Sequence, residues 1–582
     1  MDSKKLNDLR HSCAHLLAAA ILRLYPDTKL TIGPAIEDGF YYDLDFKKPV
    51  TEEDLPKIEK EMAKIFPSFT GFSHREVSEK EAKDFYKDNP YKQELIDEIV
   101  GKGEKITLYK AGDFEDLCRG GHSKNPAKEI GAFKLLSIAG AYWRGDEKNK
   151  MLTRIYGTCF PTKKELEKYL EMLEEAKRRD HRKIGEKLEI FTIRKEVGPG
   201  LILWLPNGTI IKDQIEEFAK KTEREWGYKR VSTPNITKSG LYYTSGHLPY
   251  YQKDMYPPMK GGKGEEYYLK PMNCPHHHMI YSFRKRSYKE LPLRLAEYGD
   301  CYRYEASGEL FGLMRVRGMT QNDAHIYCTI DQAVDEFAKV MELHEYYYKI
   351  FGIKEYHLEM SLRDPKNKDK YHGDEKMWEL AEKLMRKAVV KTKIPMVEQI
   401  GNAAFYGPKI DFIVKSSIGR EFAVSTNQID LYMGERFGLK YIDSDGSEKT
   451  PVIIHRAPLG SHERFIGFLI EHFGGAFPLW LSPVQVIILP IADRHVEYVK
   501  KIAGKLLETG IRVEIDERSE RLDAKIRDAT LQKIPYLAII GDKEIENKDL
   551  GLTIRDRDGK DLGILSLSQF LVKLEEEVDK KV

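Results

Sequence analysis

The span from Leu269 to Thr329 contains PMNCPHH at residues 271–277, DCYRYE at residues 300–305 and RVRGMTQNDAH at residues 315–325. These segments supply a thiol, histidines, several arginines and carboxylates. Thiol and imidazole groups suit a metal ion, and arginines suit phosphate groups. The span therefore predicts a site that holds a metal ion and a polyphosphate together.

The tyrosine-rich run from Asp300 to Glu305 predicts a β-strand. Side chains alternate across a strand, so we expect Arg303 and Glu305 on one face. A second strand is predicted from about Arg315, and a glycine-containing loop would join the two as a hairpin. The guanidinium could bind a phosphate, and the carboxylate could accept a hydrogen bond from an amino group such as that of adenine. A salt bridge on a solvated face is the alternative.

Three dispersed residues are candidate metal ligands. Cys274 lies between Asn273 and Pro275, His325 follows the Gln321–Asp323 segment, and His455 ends the apolar run 451–454, which predicts a strand. One cysteine and two histidines match a zinc site with an open fourth position. The wide spacing leaves open the alternative that Cys274 is an inert buried thiol.

The segment Gly460–Arg464 precedes apolar residues that recur at helical spacing from Phe465 onward. Arg464 is therefore expected in the first turn of a helix. A cation is unfavourable at a helix N-terminus unless an anion shares the position, so this placement indicates anion binding. An ordinary surface arginine is the alternative.

A second group of candidate ligands lies near the start of the chain. His11 and His15 are four residues apart in a run that predicts a helix, so they share one face. Cys118 and His122 flank two glycines and are expected on a loop. From residue types alone these four could bind a metal. Scattered helix histidines are the alternative.

Composition argues against a disulfide-stabilised secreted protein and against a membrane protein. The chain has 582 residues, a net charge of +2 and 32% charged residues, which is typical of a balanced multidomain globular protein of three or four domains. The six cysteines form no Cys-x-x-Cys pairs, which favours a reducing cytoplasm over a disulfide framework. We find no signal peptide and predict no membrane span.

Composition shifts predict four segments. Residues 1–161 form a first domain, and the Lys/Glu-rich residues 162–186 form an amphipathic linker helix. Residues 187–480 contain the phosphate and metal candidates. In residues 481–582, apolar strands alternate with helices, which predicts a small α/β domain.

These motifs carry a resemblance to a known family. The Arg303–Glu305 strand resembles motif 2 of the class II aminoacyl-tRNA synthetases, and the Gly460–Arg464 junction resembles motif 3. The segments PMNCPHH, SGELFGLMRVRGMTQNDAH, YGPKIDF and IIHRAPLGSHERFIG resemble the threonyl-tRNA synthetases in particular. The resemblance covers nearly the whole chain.

The resemblance implies a multidomain α+β protein. The expected parts are an antiparallel-sheet class II catalytic core, an α+β editing domain and a C-terminal α/β anticodon-binding domain. The Lys229–Pro234 strand resembles motif 1, which implies a homodimer. Many members carry a further small N-terminal domain, and we expect this chain to begin at the editing domain instead. The implied partners are tRNA(Thr), L-threonine and ATP.

The resemblance also implies roles in the catalytic core. Zinc, held by Cys274, His325 and His455, would take the threonine amino and hydroxyl groups, and Mg²⁺ would bridge the ATP phosphates. The implied threonine contacts are Met272, Gln321, Asp323 and Tyr406, the implied ATP contacts are Arg303, Glu305, Arg315, Met319, Thr426, Gln428 and Arg464, and the implied catalytic residues are Arg303, Lys409 and Arg464. Met319 departs from the family, which usually has phenylalanine there.

The first domain is expected to hydrolyse mischarged Ser-tRNA(Thr). Serine lacks only a methyl group of threonine, a difference worth roughly 1–3 kcal/mol, which is too little for accurate selection at one site. In this family the resemblance implies a metal-free hydrolytic site. Its implied residues are His11, His15, Lys92, Asp116, Cys118 and His122. Gly121 departs from the family, which more often has proline there.

In the last domain, Glu544 and Arg555 fall where the family binds anticodon bases. A structural α/β appendage is the alternative for this domain. Two other classes of function stay open: a paralogue that activates an amino acid for a non-tRNA acceptor, and a non-catalytic RNA-binding protein. The first would be expected to lose the anticodon domain or the editing residues, and the second to lose Arg303, Arg464 or a metal ligand.

Overall fold

A computed structural model describes residues 3–367, 370–416, 421–546 and 550–581. The described chain divides into two compact units, one up to Glu174 and one from Glu175 onward. The boundary falls within a helix, Lys163–Arg178.

The first unit packs one long helix against an antiparallel sheet. The helices are α1 (Ser3–Leu24), α2 (Leu55–Ile65), α3 (Glu79–Phe85), α4 (Pro90–Gly101), α5 (Pro126–Glu129) and α6 (Lys163–Arg178), which continues into the second unit. The strands are β1 (Lys29–Leu30), β2 (Ala35–Ile36), β3 (Gly39–Asp45), β4 (Ser73–Val77), β5 (Ile106–Ala111), β6 (Phe114–Leu117), β7 (Ala132–Tyr142) and β8 (Met151–Phe160). The larger sheet has the order β1-β3-β8-β7, and β4-β5-β6 form a smaller one. Apolar residues of α1, such as Leu9, Leu17 and Ile21, are fully buried beside Phe40 and Leu44 of β3.

The second unit is built on an eight-stranded sheet of order β11-β16-β17-β24-β21-β20-β18-β19. Its strands are β11 (Lys229–Arg230), β16 (Leu293–Tyr302), β17 (Gly318–Cys328), β18 (Tyr356–Leu362), β19 (Met396–Ile400), β20 (Lys409–Lys415), β21 (Glu421–Asp430) and β24 (Val452–Ala457). Pairing is antiparallel throughout the middle and parallel only at the two ends. The antiparallel core expected for the class is therefore confirmed.

Helices and short strands surround this sheet. The helices are α7 (His181–Lys187), α8 (Pro206–Glu225), α9 (Ser239–Ser245), α10 (His247–Tyr250), α11 (Cys274–Ser282), α12 (Ala333–Ile350), α13 (Glu375–Val390), α14 (Met433–Arg436) and α15 (His462–Phe473). The short strands are β9 (Phe191–Thr192), β10 (Leu203–Trp204), β12 (Ile236–Lys238), β13 (Met259–Lys260), β14 (Glu266–Leu269), β15 (Arg286–Ser287), β22 (Tyr441–Ile442) and β23 (Glu448–Lys449).

The C-terminal part has its own five-stranded sheet, of order β26-β25-β27-β28-β29. Its elements are β25 (Val486–Pro490), α16 (Val496–Glu508), β26 (Val513–Ile515), α17 (Leu522–Leu531), β27 (Tyr536–Ile540), α18 (Asp542–Ile545), β28 (Gly551–Asp556), β29 (Asp561–Ser566) and α19 (Leu567–Lys580). Strand β25 is parallel to both of its neighbours, β26 and β27, which agrees with the small α/β domain predicted here. The sequence analysis missed the antiparallel pair β28 and β29.

The predicted hairpin exists, but its limits differ from the prediction. Strand β16 ends at Tyr302 and β17 begins at Gly318, so Arg303 and Glu305 lie beyond the strand. The Arg303 N–H still donates to the Arg317 carbonyl, but the Tyr304 N–H turns away and donates to the Asp254 carbonyl. The prediction that Arg303 and Glu305 lie on one face of a strand is therefore wrong.

Three other predicted elements also differ from the structure. His455 lies inside β24 rather than at its end, and the strand predicted over Lys229–Pro234 is only Lys229–Arg230. The single helix predicted over 162–186 is two helices, because Asp180 caps a new one: its carboxylate accepts from the Arg182 N–H.

Candidate active site

Strand register brings the two candidate imidazole ligands together. In the β17–β24 pairing, His325 lies directly opposite His455, and their ring centroids are 4.5 Å apart. Cys274 is the first residue of α11, a helix that the sequence analysis did not predict. The thiol and one nitrogen of each ring all lie within 4.8 Å of one another. The three residues predicted to bind metal therefore converge.

Hydrogen bonds behind the imidazoles determine which nitrogen faces the thiol. His455 Nε2 lies 3.0 Å from an Asp430 carboxylate oxygen. His325 Nδ1 lies 2.7 Å from His277 Nδ1, and His277 Nε2 lies 3.2 Å from Glu297. Each ring therefore donates its proton away from the site. Among the described residues, His325 Nε2 and His455 Nδ1 are buried and have no hydrogen-bond partner. Two lone pairs without partners beside a thiol fit a metal ion, and such outer carboxylates are typical of metal-bound histidines.

Burial sets the protonation of the ligands before metal binds. It lowers the pKa of His325 well below its ordinary value, so the ring stays neutral. Burial, together with the charge of Asp323, raises the pKa of the Cys274 thiol well above its ordinary value. A divalent cation would reverse this effect by favouring the thiolate.

A cavity of about 520 Å³ opens beside this cluster. It is lined by every residue predicted for threonine, ATP and catalysis, together with two of the three predicted metal ligands. These residues are Met272, Cys274, Arg303, Glu305, Arg315, Met319, Gln321, Asp323, Tyr406, Lys409, Thr426, Gln428, His455 and Arg464. The third ligand, His325, is fully buried behind the wall.

The cavity wall near the cluster is polar and ordered by hydrogen bonds. Asn273 Nδ2 donates to the Asp323 carboxylate at 3.0 Å, and burial raises the pKa of Asp323. The Tyr406 hydroxyl donates to Gln428, and Lys409 pairs with Asp411 at 2.6 Å. Met319 lies within 3.6 Å of the Gln321 amide through its sulfur.

The other end of the cavity is rich in arginines. Arg464 lies in the first turn of α15, as the sequence predicted, and the structure shows that Ser461 is the N-cap of this helix. Its pKa is lowered by burial and by the nearby charges of Arg303 and Arg315. Three arginines that line the same partly buried cavity favour a polyanionic ligand. Glu305 pairs with Arg315 at 2.8 Å, which is the salt bridge considered as the alternative.

Sequence reasoning missed several residues of this site. It gave no role to His277, Glu297, Asp411 or Asp430. The His276–His278 run was a usable signal for His277, whereas the acidic residues become visible only through strand register. His247 was also missed: its Nε2 lies 3.1 Å from the Met272 sulfur at the cavity rim.

The first unit holds a second histidine–cysteine cluster, His11, His15, Cys118 and His122, whose candidate ligand atoms also lie within 4.8 Å of one another. We call it the quartet. The Cys118 sulfur lies 3.5 Å from His11 Nε2 and 3.4 Å from His122 Nε2. Burial raises the pKa of Cys118 to about 11 and lowers that of His122 to about 2, so the quartet is uncharged near neutral pH.

The predicted acidic and basic partners lie beside the quartet. Lys92 and Asp116 form a buried ion pair at 2.7 Å, and both line a cavity of about 590 Å³ with His11, His15 and Cys118. Gly121 has φ +84°, a conformation that proline cannot adopt. The departure at Gly121 therefore has a backbone consequence, because His11 Nδ1 lies 3.0 Å from the Gly121 carbonyl.

The two predicted anticodon residues lie in the C-terminal sheet region. Glu544 is buried, and its carboxylate accepts from the Thr553 hydroxyl and from the Gly541 N–H. Arg555 lies in β28 opposite Leu537 of β27, and its Nε is buried without a hydrogen-bond partner among the described residues. The contacts predicted for these residues with anticodon bases stay predictions. Within the described part of the chain, no helix combines the length and apolar character needed to cross a bilayer.

Comparison with known families finds three matches along the chain. Residues 259–473 match the "tRNA synthetase class II core domain (G, H, P, S and T)". Residues 485–577 match "Anticodon binding domain", and residues 106–156 match "Threonyl and Alanyl tRNA synthetase second additional domain".

Curated relatives cover nearly the full length. The threonine–tRNA ligase of Staphylococcus carnosus is 50% identical over 577 residues, which are 99% of this chain and 89% of that protein. The threonine–tRNA ligase of Thermus thermophilus is 47% identical, with 97% of this chain and 87% of that protein covered. A crystal structure of the RNA binding domain of threonyl-tRNA synthetase from Cryptosporidium parvum covers 68% of this chain and 98% of its own, with 36% identity and a TM-score of 0.65.

Proposed function

Because the chain belongs to the threonyl-tRNA synthetase family of class II enzymes, we propose that it attaches L-threonine to tRNA(Thr) at the expense of ATP and also removes serine attached in error. The observation that carries the first part is the convergence of Cys274, His325 and His455, with two imidazole lone pairs that have no partner in the described part of the chain. That cluster lies at one end of a cavity whose other end carries three arginines.

Cys274, His325 and His455 would hold zinc. Bound zinc would supply a Lewis acid for the amino and hydroxyl groups of threonine, which valine cannot match. Asp323, which is ordered by Asn273, would accept a hydrogen bond from the substrate hydroxyl. Gln321, Tyr406 and Met272 would complete the contacts around the amino acid.

The nucleotide would occupy the arginine-rich end. The threonine carboxylate would attack the α-phosphorus of ATP, and pyrophosphate would leave. Arg303 and Lys409 would stabilise charge at the α-phosphate, and Arg464 would hold the γ-phosphate. Mg²⁺ bound with ATP would supply further neutralisation of the phosphate charge. Glu305 would accept a hydrogen bond from adenine, with Arg315, Met319, Thr426 and Gln428 around the nucleotide. In the second step a terminal ribose hydroxyl of tRNA would attack the threonyl carbonyl, and AMP would leave.

The quartet would hydrolyse Ser-tRNA(Thr) without a metal. Its neutral imidazoles and thiol can position a water molecule, and the buried Lys92–Asp116 pair can orient the ribose end. The serine ester would gain the water oxygen at its carbonyl carbon, and the tRNA would leave with its hydroxyl restored.

The remaining assignments complete the proposal. Residues 1–161 would form the editing domain, 162–186 the linker, 187–480 the catalytic domain and 481–582 the anticodon-binding domain, with Glu544 and Arg555 near the anticodon. The enzyme would act as a homodimer. It would act in the cytoplasm, where its six free cysteines stay reduced.

Threonine-dependent ATP–pyrophosphate exchange, followed by charging of tRNA(Thr), tests the proposal. We expect exchange with threonine, weaker exchange with serine and none above background with valine. Exchange without charging would indicate a paralogue that activates threonine for another acceptor. Absence of both, in protein that contains zinc, would overturn the proposal.

A further inference from the structure

His181 lies outside every site described above, yet it is fully buried and uses both ring nitrogens. It is the first residue of α7. Its Nδ1 lies 2.8 Å from a Glu471 carboxylate oxygen, and its Nε2 lies 3.1 Å from the Leu313 backbone nitrogen. Since the Leu313 N–H must donate, Nε2 is the acceptor and the ring proton lies on Nδ1, where it donates to Glu471.

These two contacts join the two elements that carry the phosphate-binding arginines. Glu471 belongs to α15, which carries Arg464 two turns earlier. Leu313 belongs to residues 303–317, which connect β16 to β17 and carry Arg315; we call this segment the hairpin loop. Arg464 Nε in turn donates to the Met314 carbonyl at 3.2 Å. The contacts form a closed ring from α15 through His181 to the hairpin loop and back to α15.

The His181 ring packs closely against the hairpin loop. Gly312 has φ +49°, and a Cβ there would lie 2.2 Å from His181 Nε2, so the ring packs directly against the hairpin-loop backbone. The Arg182 guanidinium lies over the Phe311 ring at 4.4 Å, and the Phe311 ring meets the His181 ring edge-on at 5.5 Å. Consecutive residues of α7 therefore contact consecutive residues of the loop.

We propose that His181 is a positioning residue for the ATP site. It holds the hairpin loop so that the Met314 carbonyl orients Arg464 and so that Arg315 faces the cavity. The inference rests on the proposed function, because it assigns to these arginines the binding of ATP phosphates. The proposal also means that His181, which precedes the catalytic core in the chain, controls the geometry of these arginines.

Two substitutions separate the two contacts of the imidazole. An asparagine amide can reach the Nδ1 position but not the Nε2 position, so His181→Asn keeps the Glu471 contact and loses the acceptor for Leu313. His181→Gln places an amide near Nε2 and can restore that acceptor. We expect His181→Asn to raise the KM for ATP about fivefold in threonine-dependent exchange, the effect of one lost hydrogen bond. His181→Gln should return the KM for ATP toward the wild-type value but lower the melting temperature, because the buried Glu471 carboxylate loses the Nδ1 donor. The KM for threonine and the zinc content should not change in either variant.

His344→Asn is the matched control, because His344 is equally buried in the same unit but packs on Phe412 and bonds the Val340 carbonyl. It should lower the melting temperature without changing the KM for ATP. Amide hydrogen exchange at Leu313 provides a readout that does not depend on turnover, and we expect at least tenfold faster exchange in His181→Asn.

The inference fails if His181→Asn leaves both the KM for ATP and the Leu313 exchange rate unchanged, or raises the KM for threonine as much as that for ATP. It also fails if His344→Asn raises the KM for ATP equally. Wild-type protein without any threonine-dependent exchange would instead refute the proposed function, and Leu313 exchange would still decide the role of His181.

Discussion

Cys274, His325 and His455, which we call the catalytic cluster, contain the same chemical groups as the quartet. The two clusters differ in the hydrogen-bond partners on the far side of their imidazole rings. Each brings one cysteine and two or more histidines within 4.8 Å. Behind the catalytic imidazoles lie Asp430, directly, and Glu297, through His277. In the quartet, within the described part of the chain, no carboxylate hydrogen-bonds to an imidazole. Asp116, a buried carboxylate that lines the same cavity as the quartet, pairs with Lys92 instead.

This difference changes which lone pairs are available. The Asp430 carboxylate, and Glu297 through His277, draw the ring protons of His455 and His325 away from the thiol and leave one nitrogen of each ring without a partner among the described residues. In the quartet, His11 Nδ1 donates to the Gly121 carbonyl, and the thiol proton can be shared with His11 Nε2 or His122 Nε2. The Gly121 carbonyl and the thiol therefore provide partners for His11 and His122, whereas His15 Nδ1 is buried without a hydrogen-bond partner among the described residues. We therefore propose that the same ligand types favour a metal ion in one place and a bound water in the other because the outer hydrogen bonds differ.

The largest expected effect comes from removing the thiol of each cluster in turn. Cys274→Ser should lose zinc and reduce threonine-dependent exchange by at least about 100-fold, since the amino acid loses its Lewis acid. Cys118→Ala should keep zinc and exchange but accumulate Ser-tRNA(Thr), since the quartet loses its central group. Zinc analysis, exchange and deacylation of Ser-tRNA(Thr) measure the three outcomes.

His11→Ala is the companion variant and should behave like Cys118→Ala. The distinction between the two clusters would be lost if Cys118→Ala also removed zinc. Normal deacylation of Ser-tRNA(Thr) by both quartet variants would disprove the editing assignment.

A second prediction compares the reactivity of the two thiols. Burial raises the pKa of Cys118 to about 11, so only a small fraction is thiolate at pH 8. Its alkylation by iodoacetamide should be about 100-fold slower than that of a free thiol and should rise about tenfold per pH unit up to pH 11. A chelator should not change this rate. Cys274 should instead become alkylated only after a chelator removes zinc.

Peptide mass spectrometry with and without chelator distinguishes the two thiols. Faster alkylation of Cys118 in the presence of chelator would mean that the quartet holds a metal, which would contradict the proposal that the quartet works without one. The dependence on pH follows in sign from the raised pKa: a higher pKa leaves less thiolate at any pH below it.

Local patterns predicted much of this molecule, and long-range contacts explain the rest. Helix α15 was predictable because its apolar spacing and the Ser461 cap lie within a few residues of each other. The limits of the β16–β17 hairpin were not, because Tyr304 bonds to Asp254, about 50 residues earlier. The types of the metal ligands were predictable through the resemblance. Their proximity depends on the pairing of His325 with His455, which no local pattern encodes.

The smallest expected effect tests the outer hydrogen bonds themselves. One oxygen of Asp430 accepts from the Tyr432 and Met433 backbone N–H groups, and the other faces His455 Nε2. In Asp430→Asn the amide oxygen can keep the backbone contacts, so the NH₂ group must face His455. The ring would then carry its proton on Nδ1, the atom that faces the thiol, and zinc affinity should fall about tenfold or more.

Asp374→Asn, which changes the exposed cap of α13 in the same way, should leave zinc affinity unchanged. Competition with a chromogenic chelator measures both constants. Equal affinities in the two variants would mean that the carboxylate behind His455 does not select its tautomer, and the contrast between the clusters would then rest on the ligands alone.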